Sequence, residues 1–375
     1  MLLLQRGLVL VNRMKSVPVI SICIPVYNSE CFLKPCLLSA ITQDFDSFEI
    51  VIVNDGSQGR DEEGQNCKKI VRQVQKESKK LRKQMGLPPV SINYYEHSKN
   101  LGLLEARRTA IENASGEYIC ILDSDDALLP FALKNLYEAA NSSGADIVQG
   151  KTEIFCSDSE TASSLPTEDS ASQEIREKQE KRAQIILERY NNVYPGVLSG
   201  RAIFDGYMIS QNHIGLLWAK LIRREVYLKA LSHIPFSNLV MSEDFPQYFF
   251  ISLEAQKYVG IEKCVYQYTI DTGISSNIKI DNLARWEKIC TTANAFTIVF
   301  EAIKELPENT FTPEEMDAIR LQSRSYLVNN LEALHHTVTD DLKPQARELL
   351  CEYWGKAFVE TMEKAMEKAM NNSHG

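Results

Sequence analysis

Residues 117–126 read Glu-Tyr-Ile-Cys-Ile-Leu-Asp-Ser-Asp-Asp. Tyr118 to Leu122 is an unbroken apolar run, the pattern of a short strand buried on both faces. It runs straight into Asp123, Ser124, Asp125 and Asp126. The same order recurs outward from this stretch. Val19 to Pro25 is an apolar run that ends at Tyr27-Asn28, and Phe48 to Val53 ends in the turn signal Asn54-Asp55-Gly56-Ser57. Ile92 to Glu96 leads into the polar segment His97 to Asn100. Helical periods lie between these runs. From Ser29 onward, Phe32, Cys36 and Ala40 share a face, with Leu33, Leu37 and Ile41 beside it. Leu103 to Ala114 reads as a helix closed by Gly116, Pro130 opens another, and Ala145 to Gln149 is a further strand. Strands spaced by helices predict an α/β fold with a largely parallel sheet. Ligands then bind beyond the carboxyl ends of the strands, where the polar residues collect.

The chain has 375 residues, 44% hydrophobic and 24% charged, enough for an α/β domain and a smaller second unit. Its net charge of −9 argues against a general nucleic-acid binder. Nine cysteines occur singly, without a CxxC pair, and are expected to be reduced thiols in a cytoplasmic protein rather than zinc ligands. The opening stretch MLLLQRGLVLVNRMK is broken by Gln5, Arg6 and Gly7, so residues 1–16 are expected to be an extension, or Met14 the true start, rather than a signal peptide. No run approaches the roughly 20 apolar residues of a membrane-spanning helix.

Two segments interrupt the alternation. Residues 68–83 hold eight Lys or Arg against one Glu, with Ile70, Val74 and Leu81 at helical spacing. This predicts an amphipathic helix whose basic face is either simply solvated or meets an anionic membrane surface or acidic acceptor. Residues 157–173, SDSETASSLPTEDSASQ, lack any apolar period and are expected to form a loop before a helix over 174–190. From about 285 the chain reads as three helices, Trp286–Leu306, Pro313–Leu334 and Lys343–Met370. The expected division is a catalytic domain over 17–280, with halves 17–150 and 151–280, and a helical region over 281–375 that packs on it or self-associates.

Carboxylates at the end of an apolar strand, with alternate side chains on one side, suit a hard divalent cation, Mg²⁺ or Mn²⁺. A plain polar turn is the competing reading, with Asp126 capping the helix that opens near Pro130. Five blocks in order tip the balance: ISICIPVYN (20–28), EIVIVNDGS (49–57), NLGLLEARRTA (100–110), YICILDSDD (118–126) and MSEDF (241–245). Together they resemble glycosyltransferase family 2, inverting enzymes of the GT-A fold, over about residues 17–270. The resemblance implies transfer of a sugar from a nucleotide diphosphate to an acceptor hydroxyl. Pro25, Tyr27, Asn28 and Asp55 would then lie at the nucleotide, with Tyr27 stacking on the base. Asn100, Gly102 and Arg107 would line the diphosphate side, although Arg107 could equally pair with Glu105 or another carboxylate. Asp123 and Ser124 would approach ribose, Asp123 and Asp125 the Mn²⁺ or Mg²⁺. Asp244 would be the general base, early in a helix with Ser242 as its cap; a helix-start acid placed by the macrodipole is the alternative. Trp218-Ala-Lys220-Leu221 resembles a block seen in members that handle polysaccharide sugars, with Trp218 as a sugar platform and Lys220 near phosphate, against a buried Trp and a snorkelling Lys. Tyr266-Gln-Tyr268 resembles the strand after the base, and Ser275-Ser276 the loop beyond it.

UDP is the expected nucleotide, by family habit. The acceptor is a surface polysaccharide, a lipid-linked sugar or a protein, and the expected setting is the cytoplasmic membrane face. Two rivals remain. A sugar nucleotidyltransferase would need a Gly-rich basic loop where PVYNSECF (25–32) stands. A non-catalytic scaffold would have little reason to keep Asp55, Asp123, Asp125 and Asp244 together.

Overall fold

The computed structural model describes residues 17–156, 181, 183–237, 239–270 and 279–372. The N-terminal extension, the acidic segment 157–173 and Ser275-Ser276 lie outside the described residues. Of the helix expected over 174–190, residues 181 and 183–190 are described and helical.

Four apolar runs form the parallel half of one nine-stranded sheet. They are β1 (Ile20–Val26), β2 (Phe48–Asn54), β3 (Ser91–Glu96) and β4 (Tyr118–Ile121), in the order β3-β2-β1-β4. β1, β2 and β4 are buried at every position, because helices cover both faces. Those helices are α1 (Glu30–Ile41), α2 (Cys67–Gln84) and α3 (Leu103–Glu112). The two-residue β5 (Ala127–Leu128) and helix α4 (Ala132–Ser143) follow the acidic turn. The helix expected at Pro130 thus begins two residues later. The strand expected over 145–149 is longer, β6 (Ile147–Cys156).

Beyond β4 the sheet becomes mixed. Short β7 (Val197–Ser199) and α5 (Arg201–Met208) lead to β8 (Lys220–Arg223), which runs antiparallel between β4 and β6. Helices α6 (Arg224–Ser232) and α7 (Asp244–Glu254) precede the long β9 (Lys257–Ile270), which lies parallel to β6 and also pairs with β5 and β7.

One buried arginine locks α2 in place. Arg82 donates from Nη1 to the carbonyls of Ile41 and Gln43, 3.0 Å each, and from Nη2 to Phe45 at 2.8 Å. These carbonyls sit at and just beyond the end of α1, where helix acceptors lack partners.

The C-terminal region has five helices rather than three among the described residues. They are α8 (Leu283–Cys290), α9 (Thr292–Glu305), α10 (Pro313–His336), α11 (Lys343–Trp354) and α12 (Lys356–Asn372). Gly355, at φ +83°, breaks the last expected helix in two. Trp286, Leu327, Leu331 and Leu350 centre their shared core. This region packs on the sheet domain: Phe296 of α9 meets Phe245 of α7 at 4.5 Å between ring centres. Glu315, inside the capping box of α10, accepts from Arg201 of α5. Among the described residues no helix is long and apolar enough to cross a membrane.

Candidate active site

The carboxyl ends of β1 to β4 carry the polar residues singled out above, and three turns there are tied to one another. Asn28, at φ +54°, accepts the backbone N–H groups of Gln58 and Gly59 through Oδ1, at 2.9 and 3.0 Å. Gly56 takes φ +70° and lies so close to the next turn that a Cβ would stand 2.6 Å from the carbonyl carbon of Lys99. Asp55 is buried and binds the same turn. Its Oδ1 accepts from Leu101 N–H at 2.8 Å and lies 2.7 Å from His97 Nδ1, while Oδ2 accepts from Gly102 N–H at 2.9 Å. His97 Nε2 in turn reaches Thr109 Oγ1 at 2.9 Å. Asp55 therefore positions the loop before α3, and its oxygens are largely occupied by the protein. His97 is the partner that the sequence reading left without a role. Tyr27 stands 47% exposed at the end of β1, with its ring available for stacking. Asn100 is exposed on the neighbouring turn.

Arg107 forms the centre of the site. It is 1% exposed and gathers three carboxylates from two distant elements. Nη2 donates to Asp123 Oδ1 at 3.1 Å and Oδ2 at 3.4 Å; Nη1 donates to Glu243 Oε1 at 3.2 Å and to Asp244 Oδ1. It is the next arginine, Arg108, that pairs with Glu105, at 2.9 Å. Burial works to lower the Arg107 pKa, but Asp244, Asp123 and Glu243 outweigh it and hold the guanidinium charged. Burial, then the neighbouring Asp244, pushes Glu243 up to about 8 despite Arg107. Asp244 is likewise raised by burial, with Arg107 opposing and Asp123 reinforcing the rise. Two adjacent acids on one guanidinium nitrogen thus share their protons as a pair. Glu243, which the sequence reading passed over, belongs to the site as much as Asp244.

Asp244 opens α7, as expected, but Ser242 does not cap it with its side chain. Ser242 instead takes φ +63° and its carbonyl accepts from Phe245 N–H at 3.1 Å. A non-glycine residue in this region is a strained turn that points the next two acids at Arg107.

The acidic turn alternates. Asp123 and Asp125 are partly exposed, Ser124 and Asp126 buried. Ser124 Oγ lies 2.6 Å from Ser29 Oγ. Asp126 is not a helix cap: its oxygens accept from Tyr266 O–H at 2.8 Å and Thr269 N–H at 2.7 Å, both on β9. The Tyr266 hydroxyl also accepts from Asp123 N–H at 3.2 Å. Burial first, then Asp125 and Asp123, pushes the Asp126 carboxyl well above the carboxylate range.

Three expected site residues are enclosed instead. Pro25 is buried within β1, where its missing N–H falls beyond the last β1–β4 pair. Trp218 is 3% exposed and stacks against Tyr266 and Tyr268 at 4.9 and 5.5 Å, so its faces are taken by β9 and no sugar platform remains. Lys220 is fully buried, bonded to the Leu216 carbonyl and set over the Tyr248 ring at 5.0 Å. Burial lowers it to about 7, against the pull of Asp244. It does not stand where a phosphate could reach it. His213 is buried in the core, lowered to about 3 by burial and then by Lys220.

Residues 21–193 match the profile of the family described as Glycosyl transferase family 2. Over that stretch the chain is similar to this family. Among curated relatives, glycosyltransferase GlyA of Streptococcus pneumoniae is 36% identical over 136 residues, 36% of this chain and 17% of the relative. The uncharacterized glycosyltransferase EpsJ of Bacillus subtilis is 33% identical over 35% of this chain and 33% of its own length. The uncharacterized glycosyltransferase YibD of Escherichia coli is 26% identical over 70% of this chain and 64% of its own. The chain thus spans less than two-thirds of each of these relatives. Among solved structures, S. aureus TarS 1–349 aligns over 92% of this chain and 91% of that one, at 16% identity and a TM-score of 0.47.

Proposed function

We propose that the chain transfers a sugar from a nucleotide diphosphate, UDP in the first instance, to an acceptor hydroxyl by a single inverting displacement, in the assembly of a surface polysaccharide or glycoconjugate. The observation that carries this reading is the convergence of Asp123, Glu243 and Asp244 on Arg107 at the carboxyl edge of the sheet. It joins the acidic turn, where a donor diphosphate would sit, to the start of α7, where a base would act.

Asp244 is held by Arg107 through one oxygen while 18% of its side chain stays in solvent. It is thus oriented and reachable. A carboxylate whose pKa is raised toward the working pH is a better base for an acceptor hydroxyl. Tyr27 stacks on the base, and the loop that Asp55 and His97 hold together passes beside the phosphates at Asn100 and Gly102.

The acidic turn fits a divalent ion on one condition. Among the described residues no group of three or more His, Cys, Asp or Glu side chains is placed to hold a metal ion by itself. Mg²⁺ and Mn²⁺, however, usually take one or two carboxylates, completing their shell with substrate phosphate and water. Asp123 and Asp125, on the outward side of the turn, supply that part. An ion bound there would compensate the charge that grows on the diphosphate leaving group.

Isothermal titration of the protein with UDP and GDP, with Mn²⁺ and with chelator, tests this for wild type and Asp125→Ala. Metal-dependent binding of one nucleotide, lost in the variant, is expected. Failure of both nucleotides under every metal condition would overturn the UDP assignment and point to a scaffold or to a donor of another class.

A further inference from the structure

Helix α2 carries a feature that the proposed reaction does not use. Lys68, Lys69, Arg72, Lys76, Lys79, Lys80 and Lys83 are all exposed. At about 100° per residue these seven positions fall within an arc of roughly 120° and run about 23 Å along the axis. The opposite side, with Ile70, Val71, Val74 and Arg82, is buried against the sheet and α1. Among the described residues only Lys68 has an ionic partner, Glu96 at 3.5 Å. Glu77, the one acid of the segment, lies outside the arc and is bonded to Gln73 at 2.9 Å. This straight stripe of cations sits on a chain whose net charge is −9, so the positive charge is local, not general.

We propose that α2 lays this stripe on an anionic lipid bilayer. A flat row of charges along one helix matches a planar surface. Six of the seven are lysines, compact point charges suited to a diffuse anionic surface rather than to the bidentate contacts of arginine. No aromatic side chain is interleaved for stacking on bases, and the rest of the chain would repel a nucleic acid. Because the apolar side of α2 is already spent on the fold, the contact is electrostatic and does not insert. It therefore weakens with salt, over a screening length of about 10 Å at 0.1 M. The stripe begins beside the site: Lys68 is paired with Glu96, the last residue of β3, next to the His97 that holds Asp55. A bilayer under α2 thus reaches the rim where a membrane-borne acceptor would enter. The proposal does not depend on the transferase reading.

The test is co-sedimentation of the full chain with vesicles of phosphatidylcholine alone, or with about one-third phosphatidylglycerol, at about 0.05 M and about 0.5 M salt. The expected result is sedimentation only with the anionic vesicles at low salt. The variant Lys69→Gln, Arg72→Gln, Lys76→Gln, Lys80→Gln should weaken it by at least about a hundredfold, at roughly fivefold per charge. Lys288→Gln, Lys304→Gln, Lys356→Gln, Lys364→Gln removes the same number of exposed charges elsewhere and should leave it unchanged; thermal melts by circular dichroism establish that both variants are folded. Equal loss in both variants, equal binding to neutral vesicles, or salt-independent binding would overturn the proposal. So would a duplex oligonucleotide that binds at the same salt and displaces the vesicles.

Discussion

Replacing Arg107 by methionine keeps the side chain's reach and removes its charge. Three carboxylates, with side chains 22%, 12% and 18% exposed for Asp123, Glu243 and Asp244, would then face one another without a cation. Breaking a buried ion pair from one side costs about 3–5 kcal/mol, because the remaining charge stays unpaired. At roughly 2–4 °C per kcal/mol for a domain of this size, Arg107→Met should melt about 6–20 °C below wild type at pH 8. The deficit should shrink at lower pH, and the sign follows from linkage. Without Arg107 the folded carboxyls have pKa values further above their unfolded values near 4. The folded state then binds more protons than the unfolded state in that window, so its stability is fullest below the unfolded pKa and is lost as pH rises through the raised folded pKa. Glu243, at about 8 even with Arg107 present, already leans this way. Differential scanning fluorimetry of both proteins from pH 5 to pH 8 would measure it. A variant that melts with wild type at pH 8, or a deficit equal at both ends, would refute the idea that Arg107 neutralises these three acids.

The remaining predictions need the assayed enzyme or a denaturation curve. Asp244→Asn should leave nucleotide binding by calorimetry within about twofold and lower kcat by about 10²–10⁴-fold, the usual worth of a positioned base; an equal fall in donor affinity would make Asp244 a binding residue instead. Gly56→Ala should cost about 2–4 kcal/mol in urea denaturation, since it adds a left-handed backbone penalty to a contact at 2.6 Å with the Lys99 carbonyl carbon. A normal denaturation midpoint would mean that the two turns can part without penalty.

The first four strands and the helices between them were legible because each is a local pattern: apolar runs of strand length separated by helical periods. The residues at their ends were legible for the same reason. The contacts that make a site of them were not. Arg107 and Glu243 are 136 positions apart, and nothing local marks the first arginine of Arg107-Arg108 as the buried one. Glu105 was the nearer candidate for Arg107, yet it faces Arg108 three residues on. Trp218 and Lys220 carry types common in binding sites, but their burial depends on later elements, β9 stacking on Trp218 and Tyr248 of α7 covering Lys220. The joints in the C-terminal helices were missed because Ala, Leu, Glu and Lys favour helix on both sides of Thr291 and Gly355, and one glycine is a weak stop signal.

The acidic turn is held more firmly than its sequence alone would suggest. A chain leaving a strand continues to alternate its sides, so Asp123 and Asp125 face outward and Ser124 and Asp126 inward. The inward pair is satisfied wholly by the fold, Ser124 by Ser29 and Asp126 by Tyr266 and Thr269. A buried acid bonded in this way is costly to displace, so it fixes the turn. Asp123 is fixed from the other side by Arg107. Asp125 therefore sits between two anchored neighbours, its backbone position set by bonds from β9, α1 and α3. On the proposed reading this fixity suits a turn that presents carboxylates to a charged ligand, because pre-set geometry avoids the cost of ordering at the moment of binding.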